Sequence, residues 1–323
     1  MKRREFIIAV GGAAMDWPID ARAQKRAALI GWLGSGSAQS SGIFVESLKQ
    51  GLLDADLHEG RDYQLDLRAI GKSERLAGLA AELITAKVDV ILASGSEATR
   101  AAQRETKTVP IVMTSTNPVA LGFVASLARP GGNITGLSLL GPEASGKRLE
   151  ILKELIPGIA KVAVFWTPTD PGAAFSLKET QAAGEKLAIG LQILETRDVD
   201  AFDTAFLTAT NEGAEAVVLL PAPLMTRNAG RIADLALKSR LPTMYYSGDA
   251  VKAGALLSYG PSLIAIYRRA AYFIDRVLKG DSPRDLPVEQ PTKFDLVINL
   301  KTAKVLGVVI PPTLLLRADE VIE

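Results

Sequence analysis

The chain has 323 residues, 48% of them hydrophobic and 23% charged, with a formal net charge of +1. That is a globular composition, long enough for about two domains, with no basic excess to meet a phosphate backbone, so no nucleic-acid partner is expected. The absence of cysteine and the single histidine, His58, leave no material for disulfides, thiolate metal sites, a lipid-modified N-terminal cysteine or most catalytic triads; no metal and no cofactor are expected.

The chain opens Met1-Lys2-Arg3-Arg4-Glu5, continues in an apolar run from Phe6 to Met15 and reaches Ala21-Arg22-Ala23. A basic start, a short apolar stretch and an A-x-A site form the pattern of a secretory signal. The run is about half of what a bilayer span needs, and Arg3-Arg4 resembles a twin-arginine export signal. Residues 1–23 are therefore expected to be an export signal cleaved near Ala23, although Asp16 and Asp20 depart from the pattern. Lys2, Arg3, Arg4 and Arg22 would leave with Glu5, Asp16 and Asp20, so the mature chain is formally neutral. It is expected to be soluble and periplasmic.

From Ala27 onward short apolar runs alternate with helix-like stretches. Strands are expected at 28–33, 64–69, 88–93, 109–113, 134–139, 162–166, 191–195, 216–220, 243–246 and 256–259. Between the first two, Phe44, Leu48, Leu52 and Leu53 share one helix face. Such alternation predicts parallel sheets with crossover helices. An internal echo adds a second level: Asp89-Val90-Ile91-Leu92 leads through Ala98-Thr99-Arg100 to Val109-Pro110-Ile111, and Glu215-Ala216-Val217-Val218 leads through Met225-Thr226-Arg227 to Leu241-Pro242-Thr243. The repeated order of acid, strand, loop, helix, x-Pro and strand predicts two similar α/β lobes.

In doubly wound sheets ligands sit beyond the carboxyl ends of the strands. The loops expected there hold Ser35, Gly36 and Ser37; Ser94, Gly95, Ser96 and Glu97; Ser115 and Asn117; Asp170; Pro221; and Asp249. They are small and polar, and helix starts beside them offer free N–H groups to an anion. Each could equally be an ordinary helix cap; six such loops aimed from two lobes at one cleft favour a binding site. Trp166 and Tyr246, at strand ends, would cover a ring or chain.

Other motifs fail on their own chemistry. Gly141-Pro142-Glu143-Ala144-Ser145-Gly146-Lys147 resembles a phosphate loop, but Arg148 stands where Ser or Thr should hold magnesium. Gly34-Ser35-Gly36 lacks the third glycine of a dinucleotide fingerprint, since Gln39 stands there. His58 falls at the end of the sheet away from the loops. No G-x-S-x-G elbow occurs, so no catalytic residue is assigned and the chain is not expected to be an enzyme.

Several stretches carry a family likeness: Arg129-Pro130-Gly131-Gly132-Asn133-Ile134-Thr135-Gly136, Lys147-Arg148-Leu149-Glu150-Ile151-Leu152 and, most specific, Gln290-Pro291-Thr292-Lys293-Phe294-Asp295-Leu296-Val297-Ile298-Asn299-Leu300-Lys301-Thr302-Ala303-Lys304 with Ile310-Pro311-Pro312-Thr313. The chain resembles substrate-binding proteins of ABC transporters of the tryptophan/tyrosine type. That resemblance implies a class I-like periplasmic binding protein, two doubly wound parallel-sheet lobes joined by three chain crossings. Lobe one would take 27–137 plus 256–288, and lobe two 138–255 plus 289–323. It implies a monomer that binds a small polar or aromatic solute, amino-acid-like or a carboxylate, by hinge closure and delivers it to an ABC permease in the inner membrane. Asn117 stands where the family often has aspartate, and Thr169-Asp170-Pro171-Gly172 departs from its usual acid-and-asparagine loop. A sensor reporting to a membrane receptor is the alternative role, and a doubly wound enzyme a more distant one.

Overall fold

The computed structural model describes residues 26–34, 38–69, 75–139 and 143–323. The expected export signal and the Ser35-Gly36-Ser37 loop lie outside the described residues.

The first lobe is built from β1 (Ala28–Gly34), α1 (Ala38–Asp54), β2 (Tyr63–Ala69), α2 (Leu76–Thr85), β3 (Val90–Ser94), α3 (Ser96–Glu105), β4 (Ile111–Ser115) and β5 (Ile134–Ser138). The second contains α4 (Glu143–Leu155), β6 (Lys161–Trp166), α5 (Ala173–Leu187), β7 (Gly190–Glu195), α6 (Ala201–Asn211), β8 (Ala216–Leu219), α7 (Pro223–Arg227), α8 (Ala229–Ser239), β9 (Thr243–Tyr245), α9 (Gly248–Lys252) and β10 (Leu257–Gly260). The chain then returns to lobe one as α10 (Leu263–Leu278) and ends in lobe two with β11 (Asp295–Asn299), α11 (Leu300–Leu306), α12 (Pro312–Arg317) and β12 (Glu320–Ile322).

Strand side chains alternate between faces, and here both faces are covered, so the strands read as nearly continuous apolar runs. In lobe one, Ile30, Trp32, Val90, Leu92 and Val112 pack with α1 and α10, while Ile91, Ala93, Ile111 and Met113 pack with α2 and α3. In lobe two, Ala163, Phe165, Val217 and Leu219 face α6 and α8, and Val162, Val164, Ala216 and Val218 face α4 and α12.

The first sheet is all parallel, in the order β2-β1-β3-β4-β5. The second runs β12-β11-β10-β9-β8-β6-β7, so β7-β6-β8-β9-β10 repeats the wiring of the first. The echoed acids do the same job in each lobe: Asp89 accepts the Leu29 N–H at 2.7 Å, and Glu215 accepts the Ala160 and Lys161 N–H groups at 2.8 and 3.1 Å. Each ties the start of its strand to the neighbouring first strand.

Two details correct the sequence reading. Residues 256–288 are expected in lobe one, but β10 pairs in parallel with β9 and antiparallel with β11. Leu256 and Leu257 are buried in the lobe-two core, which holds them there, so the crossing follows Gly260. The C-terminal strands β11 and β12 are also additional, and the β10–β11 pair makes the second sheet mixed rather than purely parallel.

Three segments join the lobes. The first and third run side by side: Glu289 N–H donates to Gly136 O at 3.0 Å, and Ser138 N–H to Glu289 O at 2.8 Å. Arg269 of α10 grips the Glu289 carboxylate through two bonds at 2.7 and 2.9 Å. The second crossing, Gly260 to Ser262, ends in the cap of α10, where Ser262 Oγ accepts from Ala265 N–H at 3.2 Å. Arg148, fully buried on α4, donates Nε–H to Tyr259 O at 2.8 Å beside this crossing; the residue that spoils the phosphate loop is a tie between α4 and β10.

Candidate functional site

The carboxyl ends of both sheets face each other across a cavity of about 680 Å³, counting the space at its mouth. From lobe one, β3 runs into Ser94, Gly95 and the first residue of α3, Ser96; Thr116 follows β4; and Phe44 comes from α1. From lobe two come Asp170 before α5, Pro221, Ala222 and Pro223 after β8, Thr226 and Arg227 of α7, and Tyr246 after β9. Leu139 at the first crossing and Leu263 and Tyr267 of α10 complete the wall.

One wall is aromatic. Tyr267 stacks on Trp32 with ring centroids 5.2 Å apart and packs at 4.8 Å on Phe44. Its hydroxyl meets Ser94 Oγ at 2.5 Å and accepts from Thr114 Oγ1 at 3.4 Å, so the ring cannot swing away without breaking buried hydrogen bonds. On the opposite lobe Tyr246 donates to Ala222 O at 3.0 Å and pairs with Thr226 Oγ1. Burial pushes its phenol up to about 12, so it is neutral and a donor. Ser96 Oγ is shared between Ser115 Oγ at 2.9 Å and Thr116 Oγ1 at 3.2 Å. Most hydroxyls around this cavity are thus paired among themselves, which fixes its shape.

Asp170 and Arg227 are the charged groups in the wall. Asp170 is 3% exposed; burial first, then the Glu97 carboxylate, pushes its pKa up to about 7, against hydrogen bonds from the Gly172 and Ala173 N–H groups. Burial lowers Arg227, and Glu97 opposes that shift. Glu97, Asp170 and Arg227 therefore form one electrostatic unit across the two lobes. No group of histidine and acidic side chains suited to a metal occurs among the described residues, and no helix there is long and apolar enough to cross a membrane.

Two glycines let the lobes touch. Gly172, in lobe two, packs so closely on lobe one that a methyl there would overlap Thr116 Oγ1 and stand 2.8 Å from Ser96 Oγ. Gly95, in lobe one, has φ +93°, a conformation open to glycine, and a methyl there would meet the Pro223 ring of lobe two at 3.1 Å.

Of the residues expected at the site, Ser94, Gly95, Ser96, Asp170, Pro221 and Tyr246 line this cavity. Ser115 lies beneath it, fully buried, holding Ser96. Glu97 is outside the lining, and its charge raises the pKa of both Asp170 and Arg227. Asn117, with φ +44°, lines a neighbouring cavity. Trp166 packs against the lobe-two core. Asp249 accepts from Ser247 Oγ at 3.0 Å at the start of α9 and is not in the cavity wall. The sequence reading misses Phe44, Tyr267 and Leu263, which look like core-facing positions of α1 and α10, and Arg227, which sits inside a recognised echo whose helical Arg is read only as a repeat.

A family model described as ABC transporter substrate binding protein matches residues 37–322. The chain is 25% identical over 266 residues to a tyrosine-binding protein of Clostridioides difficile (strain R20291), covering 81% of this chain and 75% of the relative. Among solved structures it is similar to a conserved domain protein from Vibrio cholerae O1 biovar El Tor, with TM-score 0.86 and 24% identity over 92% of this chain and all of that one. It is also similar to the ABC domain in complex with L-Trp from Streptococcus pneumonia, with TM-score 0.85 and 23% identity over the same shares.

Proposed function

The chain belongs to the ABC transporter substrate-binding protein family, and from that premise we propose that it captures a small aromatic or carboxylate-bearing solute, amino-acid-like in size, between its lobes and presents it to an ABC permease from the periplasm. The observation that carries this reading is the cavity itself. It is built from loops of both lobes, walled by the rings of Phe44, Tyr246 and Tyr267, and holds one acid and one guanidinium, Asp170 and Arg227. A ring packs against the aromatic wall, Arg227 meets a carboxylate, and Asp170, when ionised, meets an ammonium group. The relative named for tyrosine and the neighbour holding L-Trp support the choice of an aromatic amino acid as the first ligand to test.

The motion follows from the architecture. Three crossings link the lobes covalently, and a ligand touching both lobes stabilises the arrangement in which they meet, by the contacts it makes only there. No catalytic role is assigned to any wall residue: the proposed task is capture and release.

The test is a thermal-unfolding screen of the mature chain against aromatic amino acids, their deaminated carboxylates and small aliphatic acids. A ligand at 100 times its Kd adds about 2.7 kcal/mol of stability. At least one aromatic member is expected to raise the midpoint in a saturable way and be recovered unchanged. A flat response across the panel, or turnover of the bound compound, refutes the reading.

A further inference from the structure

Beyond the Thr116–Gly172 contact lies a second cavity between the lobes, of about 560 Å³ counting the open space at its mouth. Thr116 lines both cavities, so the Thr116–Gly172 contact, one of the places where the lobes touch, stands between them. The second cavity draws on every part of the architecture: Asn117 after β4, Ser138 and Gln290 on the first and third crossings, Ser145 of α4, and Ser176 and Glu179 of α5.

The two cavities differ in how their polar groups are used. Around the first, hydroxyls are bonded to one another. Around the second, no hydrogen bond or ion pair joins any of those six side chains to another described residue. Three of the six are hydroxyls on residues more than nine-tenths buried, Ser138 at 1%, Ser145 at 6% and Ser176 at 8% exposure, and Ser138 Oγ is sealed from solvent with no partner at all. A buried hydroxyl without a hydrogen bond costs on the order of 1–3 kcal/mol; Ser138 Oγ carries that cost, and with the unpaired Ser145 and Ser176 hydroxyls lining the same space it points to an occupant that satisfies it.

The lining also fixes the occupant's chemistry. Glu179 is its one ionisable group, half-buried and without an ion pair among the described residues. Arg148, one turn along α4 from Ser145, is outside the lining; its Nε–H bonds to Tyr259 O, while its two terminal nitrogens are buried without a partner. The amides and hydroxyls donate and accept equally, and Val119 and Phe175 supply an apolar side. A carboxylate beside hydroxyls, amides and a short apolar wall is a receptor for an ammonium group on a short aliphatic chain. We propose that this second cavity is a distinct ligand site that takes a small aliphatic amine, such as an amino alcohol or a diamine, bound by both lobes and both paired crossings at once. This does not rest on the ligand assigned to the first cavity.

The test uses ethanolamine and putrescine as probes on the full mature chain, with propanol and glycerol as uncharged controls, followed by calorimetric titration and by a crystal soaked in the better amine. The amines are expected to bind and the controls not. Glu179→Gln, which keeps the shape of the side chain, is expected to weaken the amine at least tenfold while changing affinity for the first cavity's ligand less than threefold. Conversely, Tyr267→Ala should abolish binding of the aromatic ligand and leave amine binding intact, so failure of either reading shows separately. Electron density for the amine between Glu179 and Ser138 supports the proposal. No amine binding by the native chain, equal binding by Glu179→Gln, or a soaked crystal holding ordered water alone in this cavity overturns it.

Discussion

Replacing Gly172 with alanine isolates the step in which the lobes meet. Gly172 has helical backbone angles, φ −77° and ψ −26°, so alanine brings no backbone strain. What it brings is a methyl pressed on the other lobe, overlapping Thr116 Oγ1 and 2.8 Å from Ser96 Oγ, where van der Waals contact needs roughly 3.5 Å. Thr116 yields little, because its β-branched side chain is stiff, 6% exposed and bonded to Ser96. Overpacking of this kind costs about 1–3 kcal/mol, and most of it falls on the state in which the lobes touch, the milder neighbour being Asp170 Oδ1 of the same lobe at 3.1 Å. Ligand affinity should therefore drop roughly 5- to 150-fold. On the proposed hinge motion, in which the free protein parts its lobes, unfolding without ligand should stay within about 0.5 kcal/mol of the native chain. Calorimetry with the best ligand from the screen measures the first quantity and urea denaturation without ligand the second. Adding Thr116→Ala to Gly172→Ala removes the overlapped hydroxyl and should restore at least half of the lost binding energy. A Gly172→Ala protein that binds within twofold of native, or whose loss appears equally in the free protein, would show that the contact is not part of ligand capture.

Further substitutions probe other links of the argument. Tyr267→Phe keeps the stack on Trp32 and Phe44 but removes the hydroxyl shared by Ser94 and Thr114, so it should cost about 1 kcal/mol in urea denaturation; Tyr267→Ala should cost about 3–5 kcal/mol, and equal losses would contradict the assigned roles. Asp170 holds its proton in the folded chain up to about pH 7, whereas the unfolded chain loses it near pH 4. Its contribution is therefore complete below about pH 4 and is lost as pH rises to about 7; Asp170→Asn should flatten that part of the stability profile, and an unchanged slope would dismiss the carboxyl as its source. An ammonium-bearing ligand should bind native protein more tightly as pH rises through 7, and Asp170→Asn without that gain, by calorimetry at pH 6 and 8. Ser262→Ala removes the cap at the start of α10 and should cost about 1 kcal/mol, read as a lower urea midpoint; no change would mean the α10 start needs no cap.

The fold was legible because its strands are apolar runs separated by helix-length spacers, and because the acid before Val90 and the acid before Ala216 recur for one structural reason. Leu256 misled because an apolar strand does not say which of two like sheets it joins; that is decided by packing on Met244 and Ile298. Loop positions such as Ser94 and Asp170 were visible as polar residues at strand ends. Phe44 and Tyr267 were not, since a ring that faces a cavity and a ring that faces a core occupy the same stripe of a helix. Asp249 and Trp166 show the converse: position at a strand end does not reveal which way a side chain turns.

The pairing of Gly136 and Ser138 with Glu289 has a mechanical corollary. Two separate connectors could shear, twist and bend independently, but two connectors laced together move as one flat leaf, stiff within its plane and compliant across it. Any guest that draws the halves together should thus drive them along nearly the same arc, and a membrane partner would meet one outline of the loaded protein whichever compound lies inside.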